Sequence, residues 1–385
     1  MTLSIGLRNM RTGKVRLAFS VGGVAVAVLL LQFILGLYRG WNDELGRYID
    51  DTDADVWVSA RGSESFFTPG FYNMTFARKI GEVPGVEQAT IVRYRPVKLI
   101  ARGEGFDTWL VGFIEGQPGG PTKLIKGSGA PGPGEVILDK VLSELAGVGV
   151  GDTVEVAGEP LKVVGISSGG NVVFAQIGFV SADQMQGMVQ AAIDAAKLPE
   201  ELAASASPKN NVNLTLVRAK PGVEPEALAA EINATVPAIN AFVSSEFADG
   251  SRAALRQSIV PILVIILILA FLVGTLVLAL TVYTSILEKE REFGVIKALG
   301  TPGFGLMRVV AEQALVACLA GFVVGEIATV IAAQVTTAAV PQFVIALYPS
   351  DAALVFVGAL GMSVFASFVP AQRIRRVDAL SVFKA

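Results

Sequence analysis

Histidine is absent from this chain, and cysteine occurs once, at Cys318. The commonest metal ligand and the commonest general base are therefore both missing. A histidine-dependent hydrolase and a histidine-liganded zinc site are excluded. A lone cysteine also excludes any disulfide within the chain. Charge is scarce as well: Asp, Glu, Lys and Arg make up 17% of the residues, against 52% apolar ones. A soluble chain of 385 residues would form two or three domains and carry more charge than that.

The apolar residues are concentrated. Residues 17–38, 259–283, 309–335 and 352–369 form runs that, as helices rising about 1.5 Å per residue, suit a hydrocarbon core of about 30 Å. Four such runs are too many for buried core helices, and the sequence reads as a polytopic membrane protein. Arg8, Arg11, Lys14 and Arg16 precede the first run in the manner of a signal peptide. That run outlasts an h-region of about 7–15 residues, and no A-x-A site follows, so it is read as an uncleaved first span.

Basic residues set the expected orientation. The first sixteen residues hold four of them and no acid; Lys289, Arg291, Lys297 and Arg308 lie between the second and third runs. Arg373, Arg375, Arg376 and Lys384 lie in the tail, whereas residues 336–351 have none. Both termini and the 284–308 loop are expected in the cytoplasm of a cell (inner or plasma) membrane protein. The segment between the first two spans is then outside. Over residues 40–257 it holds 27 acids and 18 bases, a net of −9. Long domains cross regardless of charge, so export is compatible with that acidity.

Period-2 patterning predicts strands at 55–59, 97–101, 108–113, 134–138, 153–156, 161–166 and 212–217. Helices are expected at 73–81, 139–146, 181–196 and 224–235. Polar, partly helical stretches at 39–55 and 242–257 read as stalks continuing the first two spans. The fold class is thus four transmembrane helices with a large α+β ectodomain between the first and second. Residues 116–134, rich in Gly and Pro, read as a loop or subdomain boundary.

Several motifs in this segment offer no chemistry. GSGAPGPGE lacks the spacing of a phosphate-binding loop. Ser63 and Ser65 have no histidine partner or nucleophile elbow. Asp50, Asp51, Asp53 and Asp55 lack EF-hand spacing and read as a solvated stalk face. Asn73, Asn213 and Asn233 begin N-x-T tripeptides, a pattern that often arises by chance.

The stretch LEKEREFGVIKALG at 287–300 is different. Glu288, Lys289, Glu290, Arg291 and Glu292 are followed by Phe293, Val295, Ile296 and Leu299. At about 100° per residue, Val295, Ile296 and Leu299 share one helix side with Phe293 at its margin. Gly300 and Thr301-Pro302-Gly303 supply a stop. Such a helix could lie on lipid or plug a groove on a cytoplasmic partner.

This stretch resembles the E-[KR]-x-x-E-x-G-x-x-[KR]-A-L-G signature of FtsX-like, MacB-type permeases of ATP-binding-cassette (ABC) transporters. Glu288, Lys289, Glu292, Gly294, Lys297, Ala298, Leu299 and Gly300 carry it. Residues 134–166 are similar to that family's extracytoplasmic core, and the four-span plan is its plan. The tail PAQRIRRVDAL resembles its basic ending, with Val377-Asp378-Ala379-Leu380 lacking the proline of D-P-x-x-A-L.

The resemblance implies a homodimer of permeases working with a cytoplasmic ATPase dimer that binds the ATP and Mg. No phosphate-loop lysine motif is present here, so this chain is not expected to be an enzyme by itself or to bind a cofactor. It implies that Glu288, Lys289, Glu292, Phe293, Gly294, Val295, Ile296, Lys297, Leu299 and Gly300 couple the permease to the ATPase. The apolar side would dock, and Glu292 and Lys297 would pin it electrostatically. The stalks would then relay nucleotide-driven closure outward by mechanotransmission.

The implied organisation is a cytoplasmic amphipathic N-terminus (1–16), the first span (17–38), the stalk and MacB-like core (39–258) and the second span (259–283). A coupling-helix loop (284–308), the third span (309–335), an outer loop (336–351), the fourth span (352–369) and a cytoplasmic tail (370–385) follow.

Two carboxylates interrupt the third span. Glu312 lies near its cytoplasmic end and reads as structural. Glu326, roughly 21 Å further along the helix, reads either as a hydrogen-bonded or protonated packing residue or as a substrate contact. Ala317, Gly321 and Gly325 form a small-xxx-small row beside it, and Gly36 and Gly40 form another.

Relatives of this plan handle lipids, lipoproteins, haem, peptides and hydrophobic drugs. The expected function is export or extraction of an amphipathic substrate, with haem possible only as cargo. A periplasmic adaptor and membrane lipids are possible partners; nucleic acid is not. The alternative is an FtsX-like signalling subunit that activates an outer partner, such as a cell-wall hydrolase, without transport.

Overall fold

The computed structural model describes residues 14–68, 70–172, 175–288 and 303–376. In chain order, helix α1 (Lys14–Asp51) is followed by β1 (Val56–Ala60), β2 (Tyr72–Asn73) and α2 (Met74–Ile80). Strands β3 (Val86–Ala101), β4 (Glu104–Phe113), β5 (Lys123–Gly127) and β6 (Glu135–Asp139) then lead to α3 (Lys140–Ala146). Next come β7 (Thr153–Val156), β8 (Glu159–Ser168), β9 (Asn171–Val172), β10 (Ala175–Ser181), α4 (Ala182–Ala195) and α5 (Glu200–Ala206). β11 (Asn211–Val212), β12 (Leu214–Ala219), α6 (Pro225–Thr235) and β13 (Ile239–Val243) precede three long helices. These are α7 (Ser244–Glu288), α8 (Gly303–Ala339) and α9 (Pro349–Arg376).

The described residues fall into two units. One lies within Met1–Gly40, Ile259–Ala339 and Ile345–Ala385, and the other comprises Trp41–Ser258 with Val340–Val344. Helices α1 and α7 have residues in both.

The first unit is a helical bundle, and its four long helices are long and apolar enough to cross a membrane. Val24 and Val28 of α1, Leu278 and Ile286 of α7, Ala314 and Cys318 of α8, and Ala359 and Met362 of α9 form its core. Small residues let the backbones close up. A Cβ on Gly23 would lie 2.3 Å from Val277, and one on Gly274 would lie 2.5 Å from Ala27. The Cys318 thiol donates to the Ala359 carbonyl at 2.9 Å, so the lone cysteine joins α8 to α9. At the end of the apolar stretch of α1, Arg39 donates two bonds of 3.0 Å to Asp351 in the first turn of α9. Outward faces carry exposed Leu276, Val335, Val357 and Phe365, the pattern of a lipid-facing surface.

The second unit is the expected α+β domain. Its main sheet runs β13-β1-β12-β3-β4-β10-β6-β8-β5. Strand β3 is the hinge of this architecture. Residues 86–92 pair antiparallel with β12, and residues 93–101 pair with β4. Two cores result. One packs α2 and α6 around β1, β12 and β13; the other centres on β4, β6, β8 and α3, with Met185 of α4. The β3–β4 hairpin turns on Arg102 (φ 53°) and Gly103 (φ 83°), the left-handed pair a two-residue turn requires. Helix α3 starts where Asp139 accepts from the Val141 N–H at 2.8 Å and ends at left-handed Gly147.

The four helices expected in this domain are present. The strands are longer and more numerous than the sequence reading gave. Residues 123–127, inside the Gly/Pro-rich stretch read as loop, form the edge strand β5 paired with β8. Its five residues are all exposed, so it carries no one-sided burial pattern to read. Strand β10 is buried on both faces, which removes the alternation. The first half of β3 was missed because Glu87 and Gln88 near its start and Pro96 further on look like breakers.

Candidate functional site

The stalk of α1 is not uniformly polar. In WNDELGRYIDD, Trp41, Leu45, Tyr48 and Ile49 recur at helical spacing and are buried within the second unit. Tyr48 reaches into an aromatic cluster, with ring centroids 6.2 Å from Trp57, 5.7 Å from Phe66 and 5.9 Å from Phe179. Burial raises its phenol pKa. Its hydroxyl donates to the Gly119 carbonyl at 2.8 Å. Gly119 has φ 106°, and a Cβ there would lie 2.6 Å from Val92, so glycine is required.

The first turns of α7 enter the same cluster from the other side of the sequence. Phe247 stacks on Trp57 at 5.2 Å and is fully buried. Ser251, also fully buried, accepts from the Phe66 N–H at 3.0 Å. A Cβ on Gly250 would lie 2.3 Å from the Glu64 carbonyl, so the helix rests on that loop.

Arg252 ties the two stalks together. Its guanidinium donates to the Asn42 carbonyl at 3.3 Å, to Asp50 at 2.5 Å and to Asp249 at 2.9 Å. Burial lowers its pKa, but Asp50 and Asp249 outweigh that and leave it raised. The aspartate run read as a solvated face is thus partly engaged. Asp50 binds Arg252, Asp53 binds Arg218, and Asp55 accepts from the Ala219 N–H. Asn73, Asn213 and Asn233 likewise hold backbone groups within the domain.

Of the residues expected to couple to an ATPase, Glu288 is the last residue of α7 and is exposed. Lys289, Glu292, Phe293, Gly294, Val295, Ile296, Lys297, Leu299 and Gly300 lie outside the described residues. Helices α7 and α8 flank that segment in sequence.

In the bundle, Gly321 and Gly325 pack α8 against α1. Added Cβ atoms would lie 2.6 Å and 2.7 Å from those of Val24 and Val28. The small-residue row is therefore used inside one chain. Gly36 meets the segment before α9, its carbonyl accepting from the Ala346 N–H at 3.0 Å. Glu312 accepts from Arg308 at 3.0 Å. Glu326, next to Gly325, is half-buried, and one of its carboxylate oxygens is buried with no hydrogen-bond partner among the described residues. The side-chain carbonyl of buried Gln32 on α1 is in the same condition.

Residues 17–235 match the family model of the MacB-like periplasmic core domain, and residues 264–379 match that of the FtsX-like permease C-terminal region. The chain belongs to the MacB/FtsX-type family of ABC transporter permeases. It is 29% identical over 389 residues to an uncharacterised ABC transporter permease of Mycobacterium tuberculosis, covering 99% of both chains. An uncharacterised ABC transporter permease of Mycobacterium bovis is 23% identical over 370 residues, covering 92% of this chain and 93% of that one. Among solved structures, the periplasmic region of MacB from Actinobacillus actinomycetemcomitans aligns with a TM-score of 0.36 at 12% identity. That alignment covers 55% of this chain and 95% of the other. For a MacB/FtsX-type permease, the family implies association with a cytoplasmic ATPase and a multi-pass place in the cell membrane.

Sequence reasoning missed Tyr48, Phe247, Gly250 and Arg252 as stalk anchors in this permease. The apolar stripe through 41–49 was a readable signal for the first. Nothing local marks Arg252, whose main partners lie on a helix more than two hundred positions away.

Proposed function

We propose that this permease exports or extracts an amphipathic substrate by passing the closure of a partner ATPase dimer to its α+β domain through α1 and α7. ATP and Mg belong to the partner. Two copies of this chain pair with two ATPases, and both termini and the 284–308 loop face the cytoplasm. A periplasmic adaptor joins only where an outer membrane must be crossed.

One observation carries this reading: α1 and α7 are each a single unbroken helix from an apolar span into the domain. There Tyr48 and Phe247 enter one aromatic cluster, and Arg252 clamps one stalk to the other. The relay is assigned to these two continuous helices, α7 carrying Pro261 inside its apolar stretch. The apolar side formed by Val295, Ile296 and Leu299 is the docking element, with Glu292 and Lys297 pinning it.

The test is reconstitution with the cognate ATPase in proteoliposomes. Export predicts ATP-dependent movement of a labelled amphiphile, lost when Val295, Ile296 and Leu299 are replaced by Asp and the ATPase no longer co-purifies. Retained co-purification by that variant overturns the docking assignment. ATP-dependent activation of a bound cell-wall hydrolase, with no amphiphile moved, replaces export by signalling.

A further inference from the structure

The α+β domain contains a cleft of about 320 Å³ that none of the coupling machinery uses. Its position follows from the sheet. Arg93 of β3 pairs across the ladder with Gly112 of β4, and a Cβ on Gly112 would lie 2.4 Å from Met185. Arg93 therefore shares the face that α4 covers, and Arg95, two residues on, shares it too. Met185, Val189 and Ile193 recur at helical spacing along α4 and line one side. Phe71 and Leu198, both exposed, line the rest of the rim.

The cleft is mostly apolar, and its charged lining residues are cationic. Arg93 and Arg95 line it together with asparagines, and no acidic residue does. This holds in a segment whose net charge is −9. The Arg93 Nη2 donates to the Pro208 carbonyl at 2.6 Å, whereas its Nε is buried with no hydrogen-bond partner among the described residues. None of the ion pairs formed by the described side chains includes Arg93. A half-buried guanidinium whose shielded Nε lacks an acceptor is completed by an anion.

We propose that this cleft binds a single-chain amphiphile with an anionic head, the head on Arg93 and the hydrocarbon body along the Met185–Val189–Ile193 stripe. Pockets for small ligands span about 300–1,000 Å³, and this one is at the small end, which suits one chain and not a diacyl lipid. That such an anion is the transported cargo rests on the export reading; its binding does not.

The experiment uses the full-length permease in zwitterionic nanodiscs, with dansyl-undecanoic acid as the fluorescent probe and its methyl ester as the neutral control. Empty nanodiscs give the partitioning baseline. Saturable binding of the acid is expected, with the ester weaker. Arg93→Met should weaken the acid by at least about tenfold, and Arg93→Lys by much less. Ile193→Trp, at a half-exposed helix position, should block both ligands with the fold intact, so a misfolded Arg93→Met protein leaves the question decidable. Equal binding of acid and ester, or unchanged binding in Ile193→Trp, overturns the proposal. Binding without ATP-driven export of the probe retains the site and removes this anion as cargo. Export of other amphiphiles by a permease that does not bind the probe removes the site and leaves export standing.

Discussion

The guanidinium of Arg252 and the carboxylate of Asp50, 202 positions apart in sequence, meet at 2.5 Å and join the two stalk helices. Arg252 is mostly buried and Asp50 is partly exposed, so the pair contributes on the order of 1 kcal/mol. Its importance is geometric. Arg252→Met should leave the permease folded and bound to its ATPase while lowering ATP-driven transport several-fold. Asp50→Asn should do the same, and the double variant should be no worse than either alone. The check is a double-mutant cycle on transport rate; additive losses would show that the two residues act separately.

The close approach of α8 to α1 sets a second expectation. Gly321→Leu and Gly325→Leu each place a side chain where Val24 or Val28 already sits. Either should reduce the yield of monodisperse permease and lower its melting temperature, and the double variant should fail to assemble. Overpacking of this kind typically costs about 1–3 kcal/mol per site, and more where backbones touch. Thermal unfolding in one detergent measures it. A neutral Gly321→Leu would mean that the helices can separate freely.

Much of this architecture could be read from the residues, and the rest could not for physical reasons. The four spans are legible because residues such as those at 259–283 have no charge to interrupt them. Helix α3 is legible because Asp139 caps it and Gly147 ends it. By contrast, β10 is hidden by burial on both faces and β5 by burial on neither. The stalk clamp was illegible because Arg252 looks like any helix-surface arginine until Asn42 and Asp50 are brought beside it. The cleft at Arg93 was illegible because its cationic character depends on which residues the fold brings to its lining.

Asp139 predicts a pH dependence of the domain. Burial raises its carboxyl pKa from 3.8 to about 6, against the Val141 and Gly170 N–H groups that favour the ionised form. Between those values the folded chain holds a proton that the unfolded chain has lost. The contribution is therefore full below about pH 4 and is lost as pH rises through about 6, by at most about 3 kcal/mol. Burial also raises the Glu44 pKa, which adds in the same direction. Melting temperature measured from pH 4 to 7 should fall with rising pH in the wild type. Asp139→Asn should flatten most of that slope, and a slope unchanged in Asp139→Asn would assign it to other groups.

Glu326 sits beside a glycine that is locked against α1, with one carboxylate oxygen unpartnered. If it contacts substrate, Glu326→Gln should change substrate-stimulated ATP hydrolysis by several-fold and leave basal hydrolysis within about twofold. If both rates stay unchanged, Glu326 is a packing residue. A fall in both would place it in the coupling path instead.

The most direct measurement is a distance between the α+β domains of two copies during nucleotide binding. A spin label at Lys140→Cys, on an exposed helix position, in a Cys318→Ala background gives one label per chain. Coupling through the stalks predicts that ATP binding by the partner ATPase shifts the inter-label distance. It also predicts that the Asp replacements at Val295, Ile296 and Leu299 abolish the shift, and that Arg252→Met reduces it. An identical distance distribution with and without ATP, in a complex that hydrolyses it, would contradict transmission from the ATPase to the α+β domain.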